Sequence, residues 1–196
     1  MLVSQNELIQ KAIAGAVVSF PTDTVPALAV KPDNAALLYQ VKQRPETKPL
    51  ILMGASWSDL LPYITGSAEA IARWKRVADF YFPGALTLVL PASDLVPSVM
   101  NPTGSKTIGI RVPNQTVARN ILAATGVLAT TSANISGQSS IVTMNEINLV
   151  FPQVAVLKDV SLTDPLGNGT PSTVVQWREN LWQILRQGSV LFDHLV

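Results

Sequence analysis

The chain contains no cysteine and a single histidine, His194, two residues from its end. Without thiols there is no disulfide, thiolate nucleophile, cysteine-ligated zinc or iron–sulfur cluster, although the redox compartment stays open. One imidazole near the chain end argues against Ser-His-Asp hydrolysis and histidine-held metal catalysis, both of which need the ring inside the fold. Charge is scarce as well: 14 Lys and Arg stand against 13 Asp and Glu, a net charge of +1, so no global grip on nucleic acid is expected. The longest uncharged run, between Arg119 and Glu146, is broken too often by Ser, Thr, Asn, Gln and Gly for hydrocarbon to accept it, so no membrane span is expected. Met1 to Gln10 lacks a basic region followed by an apolar one, which argues against a secretory signal and for a cytoplasmic protein.

What is present suits one core. With 196 residues, 47% of them hydrophobic, the chain is expected to form a single domain over residues 1–196. Ser4 with Glu7 forms a capping-box pattern ahead of Leu8, Ile9, Ala12 and Ile13, which predicts an opening helix up to Gly15. Ala16 to Phe20 reads as a buried strand that stops at Pro21 and delivers Thr22-Asp23-Thr24 to a loop, and Asp33 or Asn34 is expected to cap a helix ending near Val41. A charged, proline-bracketed loop, Lys42 to Pro49, precedes a strand at Leu50 to Met53. Ser67 is expected to cap a helix with Ile71, Trp74, Val77, Ala78 and Tyr81 on its apolar face and Arg73, Lys75 and Arg76 away from it. Further strands are read at Ala85 to Leu90, Thr107 to Val112, Val127 to Thr131 and Val154 to Leu157. Helices are read around Val117 to Leu122, stopped by Gly126, and after the Thr143–Glu146 capping pattern, and a closing hairpin over Ser172–Trp177 and Leu181–Leu185. The alternation predicts an α/β fold with a mixed, largely covered sheet. Trp57, Trp74, Trp177 and Trp182 lie outside any basic-aromatic alternation and read as packing residues.

Polar residues gather where strands run out: Thr22 to Thr24, Lys42 to Lys48, Thr107 with Arg111, Ser132 to Gly137, Ser172 with Thr173, and Arg186. Cations and small hydroxyls with few carboxylates suit an anionic ligand such as a nucleotide triphosphate, not glycoside hydrolysis or a carboxylate-only metal cage. No Gly-x-x-x-x-Gly-Lys-Ser/Thr loop and no Gly-x-Gly-x-x-Gly turn occurs, so an ATP site here needs another design. Read singly, Thr22 to Thr24 is a generic turn, Lys42, Arg44 and Lys48 an exposed loop, and Ser132, Asn134 and Ser136 turn caps. Arg111, after an apolar strand, either emerges at its end or needs an anionic partner.

Taken in order, Pro21-Thr22-Asp23-Thr24-Val25, Lys42-Gln43-Arg44-Pro45, Phe82-Pro83-Gly84-Ala85-Leu86-Thr87, Ile110-Arg111-Val112-Pro113, Ser132-Ala133-Asn134-Ile135-Ser136-Gly137, Ser172-Thr173-Val174-Val175 and Leu185-Arg186-Gln187-Gly188 resemble the motifs of the YrdC family. The resemblance implies a twisted mixed β-sheet flanked by helices, with a concave ligand-binding surface. It implies synthesis of threonylcarbamoyl-AMP and pyrophosphate from L-threonine, bicarbonate or carbon dioxide, and ATP, for tRNA modification through a downstream threonylcarbamoyl-transferase complex. By the same resemblance, Thr24, Arg111, Ser132 and Ser172 hold threonine, Lys42, Arg44, Lys48, Thr107, Asn134 and Arg186 hold ATP, and Mg2+ rides on the triphosphate. No covalent nucleophile is implied. The chain resembles the short form of the family, without an extra C-terminal domain. A noncatalytic relative that binds double-stranded RNA is the competing reading, and a carbamoyl-adenylating domain like that of hydrogenase maturation a third. The chain departs from the family pattern at Pro26-Ala27, in place of Tyr-Gly, at Met53, where longer members have histidine, and at Gln176, where aspartate is common. The first departure removes a ring wall beside the implied threonine pocket and fixes the backbone there.

Overall fold

The computed structural model describes residues 1–43, 48–101 and 104–193. In chain order the elements are β1 (Leu2–Val3), α1 (Gln5–Ile13), β2 (Val18–Phe20), β3 (Ala27–Val30), α2 (Ala36–Lys42), β4 (Ile51–Met53), α3 (Trp57–Leu60), α4 (Ala68–Tyr81), β5 (Leu86–Pro91), β6 (Thr107–Arg111), α5 (Thr116–Thr125), β7 (Leu128–Ser132), α6 (Met144–Val150), β8 (Ala155–Leu157), β9 (Thr173–Arg178) and β10 (Leu181–Arg186). Every expected strand and helix is present, displaced by a residue or two at the ends.

Local chemistry explains the boundaries. Both halves of the Ser4–Glu7 capping box form, and at α6 only the Thr143 half does, its hydroxyl accepting from the Glu146 N–H at 3.3 Å. Ser67 caps α4 by accepting the Ala70 N–H. Ser67→Ala is expected to destabilise the protein by about 1 kcal/mol in urea unfolding with an unchanged slope. Gly126 ends α5 with a φ of 78°, which favours glycine. The expected cap of α2 does not form. Residues 32–34 make a 3-10 turn instead, α2 starts without a side-chain cap, and Asn34 donates its amide to the Gly15 carbonyl. Sequence reading also missed β1, too short to carry a period, and β3, whose four residues are all buried and so show no alternation.

Among the described residues the ten strands form one twisted mixed sheet in the order β1-β8-β2-β3-β7-β4-β6-β5-β9-β10. Four neighbouring pairs are parallel (β1/β8, β2/β8, β4/β6, β5/β9) and the rest antiparallel. On one face α2, α4 and α6 pack Leu38, Trp74, Val77 and Ile147 against Leu28, Leu52, Leu88, Ile110 and Val175. Trp74 meets Trp177 edge-on at 6.3 Å and Trp177 meets Trp182 at 5.1 Å, so these rings are packing residues. On the other face α1 and α5 seal the end made by β8, β2, β3 and β7 with Leu8, Ala12, Ile121 and Leu122 over Val18, Phe20, Ala29 and Leu128. Beyond that end the second face opens into a cavity. No helix among the described residues is long and apolar enough to cross a membrane.

Candidate functional site

The cavity holds about 480 Å³ and is floored by the sheet from β7 to β10, a size that suits small ligands and cofactors. Thr24, Thr107, Arg111, Ser132, Ser172 and Arg186 line it, so six of the ten expected site residues converge there from sequence positions far apart.

Arg111 ends β6 buried, at 3% exposure. Its Nε donates to the Gly84 carbonyl at 3.0 Å, Nη1 to Thr24 Oγ1 at 2.8 Å and Nη2 to Asp23 Oδ1 at 2.6 Å. Asp23 Oδ1 also accepts the Asn114 N–H. Three of five N–H groups are thereby spent, leaving one on each terminal nitrogen of a guanidinium that lines the cavity. Burial lowers the Arg111 pKa, Asp23 raises it through charge and hydrogen bonding, and the positive charge of Arg186 lowers it again. An anion placed between the two arginines relieves that repulsion.

The Thr22–Thr24 turn sets what Thr24 can offer. Thr22 Oγ1 gives its proton to the Val25 carbonyl at 2.7 Å, so the 3.0 Å contact between the two threonine hydroxyls has Thr24 as donor. With its proton spent and Arg111 on one lone pair, Thr24 Oγ1 can only accept from a ligand. A strap at residues 166–171 fastens this turn: Asn168 N–H reaches the Asp23 carbonyl and Gly169 N–H the Thr24 carbonyl, at 3.1 and 2.9 Å. Gly167 has a φ of 75°, and a β-carbon on it would overlap the Thr24 carbonyl, so only glycine fits.

On the far side, Arg186 closes Nε and Nη2 onto the Ser172 carbonyl at 3.2 and 2.7 Å, while Ser172 Oγ pairs with Thr87 Oγ1 at 2.8 Å. Ser172 is buried, and Arg186, though exposed as a residue, loses enough hydration for burial to lower its pKa. The β9/β10 pairing runs regularly to Ile184↔Val175 and then skips to Arg186↔Val174. This bulge at Leu185 turns Arg186 to the cavity face rather than to the helix face that simple alternation assigns it. Thr107 meets Ser105 at 2.7 Å on the opposite rim.

The expected cations divide. Lys42 is not in a loop but is the last residue of α2, 1% exposed, donating to Thr131 Oγ1 and Asn134 Oδ1 at 3.1 Å each and to the Ser132 carbonyl. Asn134 is likewise buried, accepting the Ser132 hydroxyl at 2.6 Å and donating to the Ile135 and Gln138 carbonyls. These two lie behind the cavity wall and hold Ser132 in it. Lys48 is exposed beside Pro49, which lines the cavity. Arg44 lies outside the described residues. Sequence reasoning missed Asp23 and Gly84 as partners of Arg111, and nothing local could reveal them, since Asp23 is 88 residues away. Pro26, Ala27, Met53 and Gln176, where the chain departs from the family pattern, all line the cavity.

A mixed α/β sheet with an open cavity rimmed by two arginines defines a protein that receives a small anionic ligand. The Sua5/YciO/YrdC family model, described as telomere recombination, matches residues 10–188, and the chain belongs to that family. It is 33% identical over 191 residues to the threonylcarbamoyl-AMP synthase of Vibrio cholerae, covering 93% of this chain and 98% of the relative. It is 37% identical over 150 residues to the threonylcarbamoyl-AMP synthase of Idiomarina loihiensis, covering 74% and 79%. Among solved structures, P. abyssi Sua5 complexed with L-threonine superposes with a TM-score of 0.86 at 26% identity, over 96% of this chain but 57% of that longer one.

Proposed function

We propose that this chain is a threonylcarbamoyl-AMP synthase, which joins L-threonine, bicarbonate or carbon dioxide, and ATP into threonylcarbamoyl-AMP and pyrophosphate. The single observation that carries the reading is Arg111, buried, oriented by Asp23 and Thr24, and left with one free N–H on each terminal nitrogen at the cavity. That fork matches a carboxylate bidentately. The synthases of V. cholerae and I. loihiensis to which the chain is similar support the same reading.

In this reading Arg111 takes the threonine carboxylate, and Thr24, able only to accept, takes an N–H of the amino acid. Ser132 and Ser172 fix its orientation. Arg186 and Thr107 meet the nucleotide, Lys42 and Asn134 act on it through the Ser132 turn, and Arg44 and Lys48 supply further positive charge. A carbamate formed on the threonine nitrogen then attacks the α-phosphorus in line as pyrophosphate leaves. Positioning and cations serve that step without an enzyme nucleophile. Among the described residues no cluster of His, Asp and Glu makes a metal cage, and Asp23 is committed to Arg111. A magnesium ion therefore suits the triphosphate and its waters rather than a protein ligand set, where it would neutralise phosphate charge. Residues 1–196 act as one YrdC-like domain in the cytoplasm, and a downstream threonylcarbamoyl-transferase complex consumes the product for tRNA modification.

The expected result is pyrophosphate release from ATP and bicarbonate that depends on L-threonine, with threonylcarbamoyl-AMP detected by mass spectrometry. Salt-sensitive binding of double-stranded RNA with no threonine-dependent release would overturn this reading in favour of a noncatalytic relative.

A further inference from the structure

The cavity floor carries two parallel rows of side chains. Met53, Arg111, Thr87, Val174 and Arg186 follow one another across β4, β6, β5, β9 and β10, and this row holds both arginines. Two residues along the strands, about 7 Å away, runs a second row, Ile51, Gly109, Val89 and Gln176, paired residue to residue on the same four strands β4, β6, β5 and β9. All four line the cavity.

The second row differs chemically from the first. It has no charge, and its first three members are apolar. Gly109 is required to keep it flat, because a β-carbon there would lie 2.7 Å from Ile51 Cγ2 and 3.3 Å from Thr87 Cγ2. Ile51 therefore lies over the glycine and, with Val89, makes a level apolar shelf. The shelf ends in the Gln176 side chain, half-buried at the cavity, whose amide makes no hydrogen bond among the described residues. The Leu185 bulge brings a further apolar side chain to the cavity beside it. A neutral amide at the end of a flat apolar shelf, one row from the cations, does not suit phosphate. It suits a planar heterocycle whose face rests on aliphatic carbon and whose edge pairs a donor with an acceptor.

We propose that Gln176 reads the nucleobase of the nucleotide substrate, its carbonyl accepting from the 6-amino group of adenine and its NH2 donating to N7. The ligand's identity as a nucleotide rests on the synthase reading. The residue sets base specificity and takes no part in the chemical step. Inosine triphosphate replaces the 6-amino donor with a carbonyl while N7 stays an acceptor, so the edge offers two acceptors and no rotation of the amide recovers both bonds.

The test is the ratio of dissociation constants for ATP and ITP by calorimetry, in the wild type, Gln176→Met, Gln176→Leu and, as control, Gln153→Leu, exposed ahead of β8 at the other end of the sheet. The wild type and the control are expected to prefer ATP by about tenfold or more. Both Gln176 variants are expected to bring the ratio close to one by weakening ATP alone, with melting temperatures near the wild type's. A wild-type ratio near one, or a ratio unchanged in either folded Gln176 variant, overturns the proposal. Pyrophosphate release measured alongside separates the two readings. Preference for ATP without threonine-dependent release sinks the synthase and leaves Gln176 as the base reader, whereas release with equal affinities sinks the base reader alone.

Discussion

Arg111→Ala abolishes threonine-dependent pyrophosphate release and destabilises the fold by about 3–5 kcal/mol. The two losses have one origin. The guanidinium is 3% exposed and Asp23 only 16%, so removing the arginine leaves a nearly dry carboxylate, the Thr24 hydroxyl and the Gly84 carbonyl without their donor. Asp23 keeps the Asn114 N–H, which places the cost toward the lower end of that range. Urea unfolding with an unchanged slope checks the stability term, and calorimetric titration with L-threonine checks the binding term. Arg111→Lys separates them. An ammonium restores charge near Asp23 and part of the stability, but it cannot reach three partners and still present two parallel N–H groups, so threonine affinity stays low. Wild-type release from Arg111→Ala would remove the residue from the site.

Gly188→Ala, two residues from the nearest cavity-lining side chain in sequence, raises the KM for ATP about tenfold and destabilises the protein by about 1–3 kcal/mol. A β-carbon on Gly188 would overlap the backbone of Pro171 and Ser172, atoms that cannot shift without moving the start of β9. The Gly188 N–H also bonds Thr173 Oγ1 at 2.9 Å, so the segment is fixed from both directions. Forcing it outward draws Arg186 off the Ser172 carbonyl and out of its place at the cavity. Arg186→Ala is the comparison. It raises the ATP KM as much, but costs only about 1 kcal/mol of stability, the two bonds to the Ser172 carbonyl being lost without any backbone overlap. If Gly188→Ala destabilises the fold while its KM stays at the wild-type value, Arg186 is not what holds the phosphates.

The parts of this molecule that were legible in the chain are those whose causes lie within a few residues. Ser4, Ser67 and Thr143 announced three helix starts because a hydroxyl reaches only two or three residues ahead. Thr107 to Arg111 announced a strand through its composition, and Gly126 a stop through its free φ. β3 escaped because burial on both faces erases alternation, and Lys42 was misplaced because nothing near it in sequence reveals that α2 continues to that lysine and buries it against Ser132. The seven motifs pointed to the family, and with it to ten site residues, without saying which face each occupies.

By itself, then, the sequence determined that the protein has no thiol and a single imidazole, that it alternates strands and helices, and where its cations and hydroxyls concentrate. Only the tertiary structure decided that Asp23 belongs to Arg111, that Thr24 gives its proton to Thr22 and can only accept from a ligand, that a bulge at Leu185 turns Arg186 inward, and that Gln176 ends an apolar shelf. The physical reason is reach. Caps and turns are settled by bonds between near neighbours, whereas ion pairs, hydroxyl orientation and the rows of a cavity floor are settled by strand pairing between segments scores of residues apart.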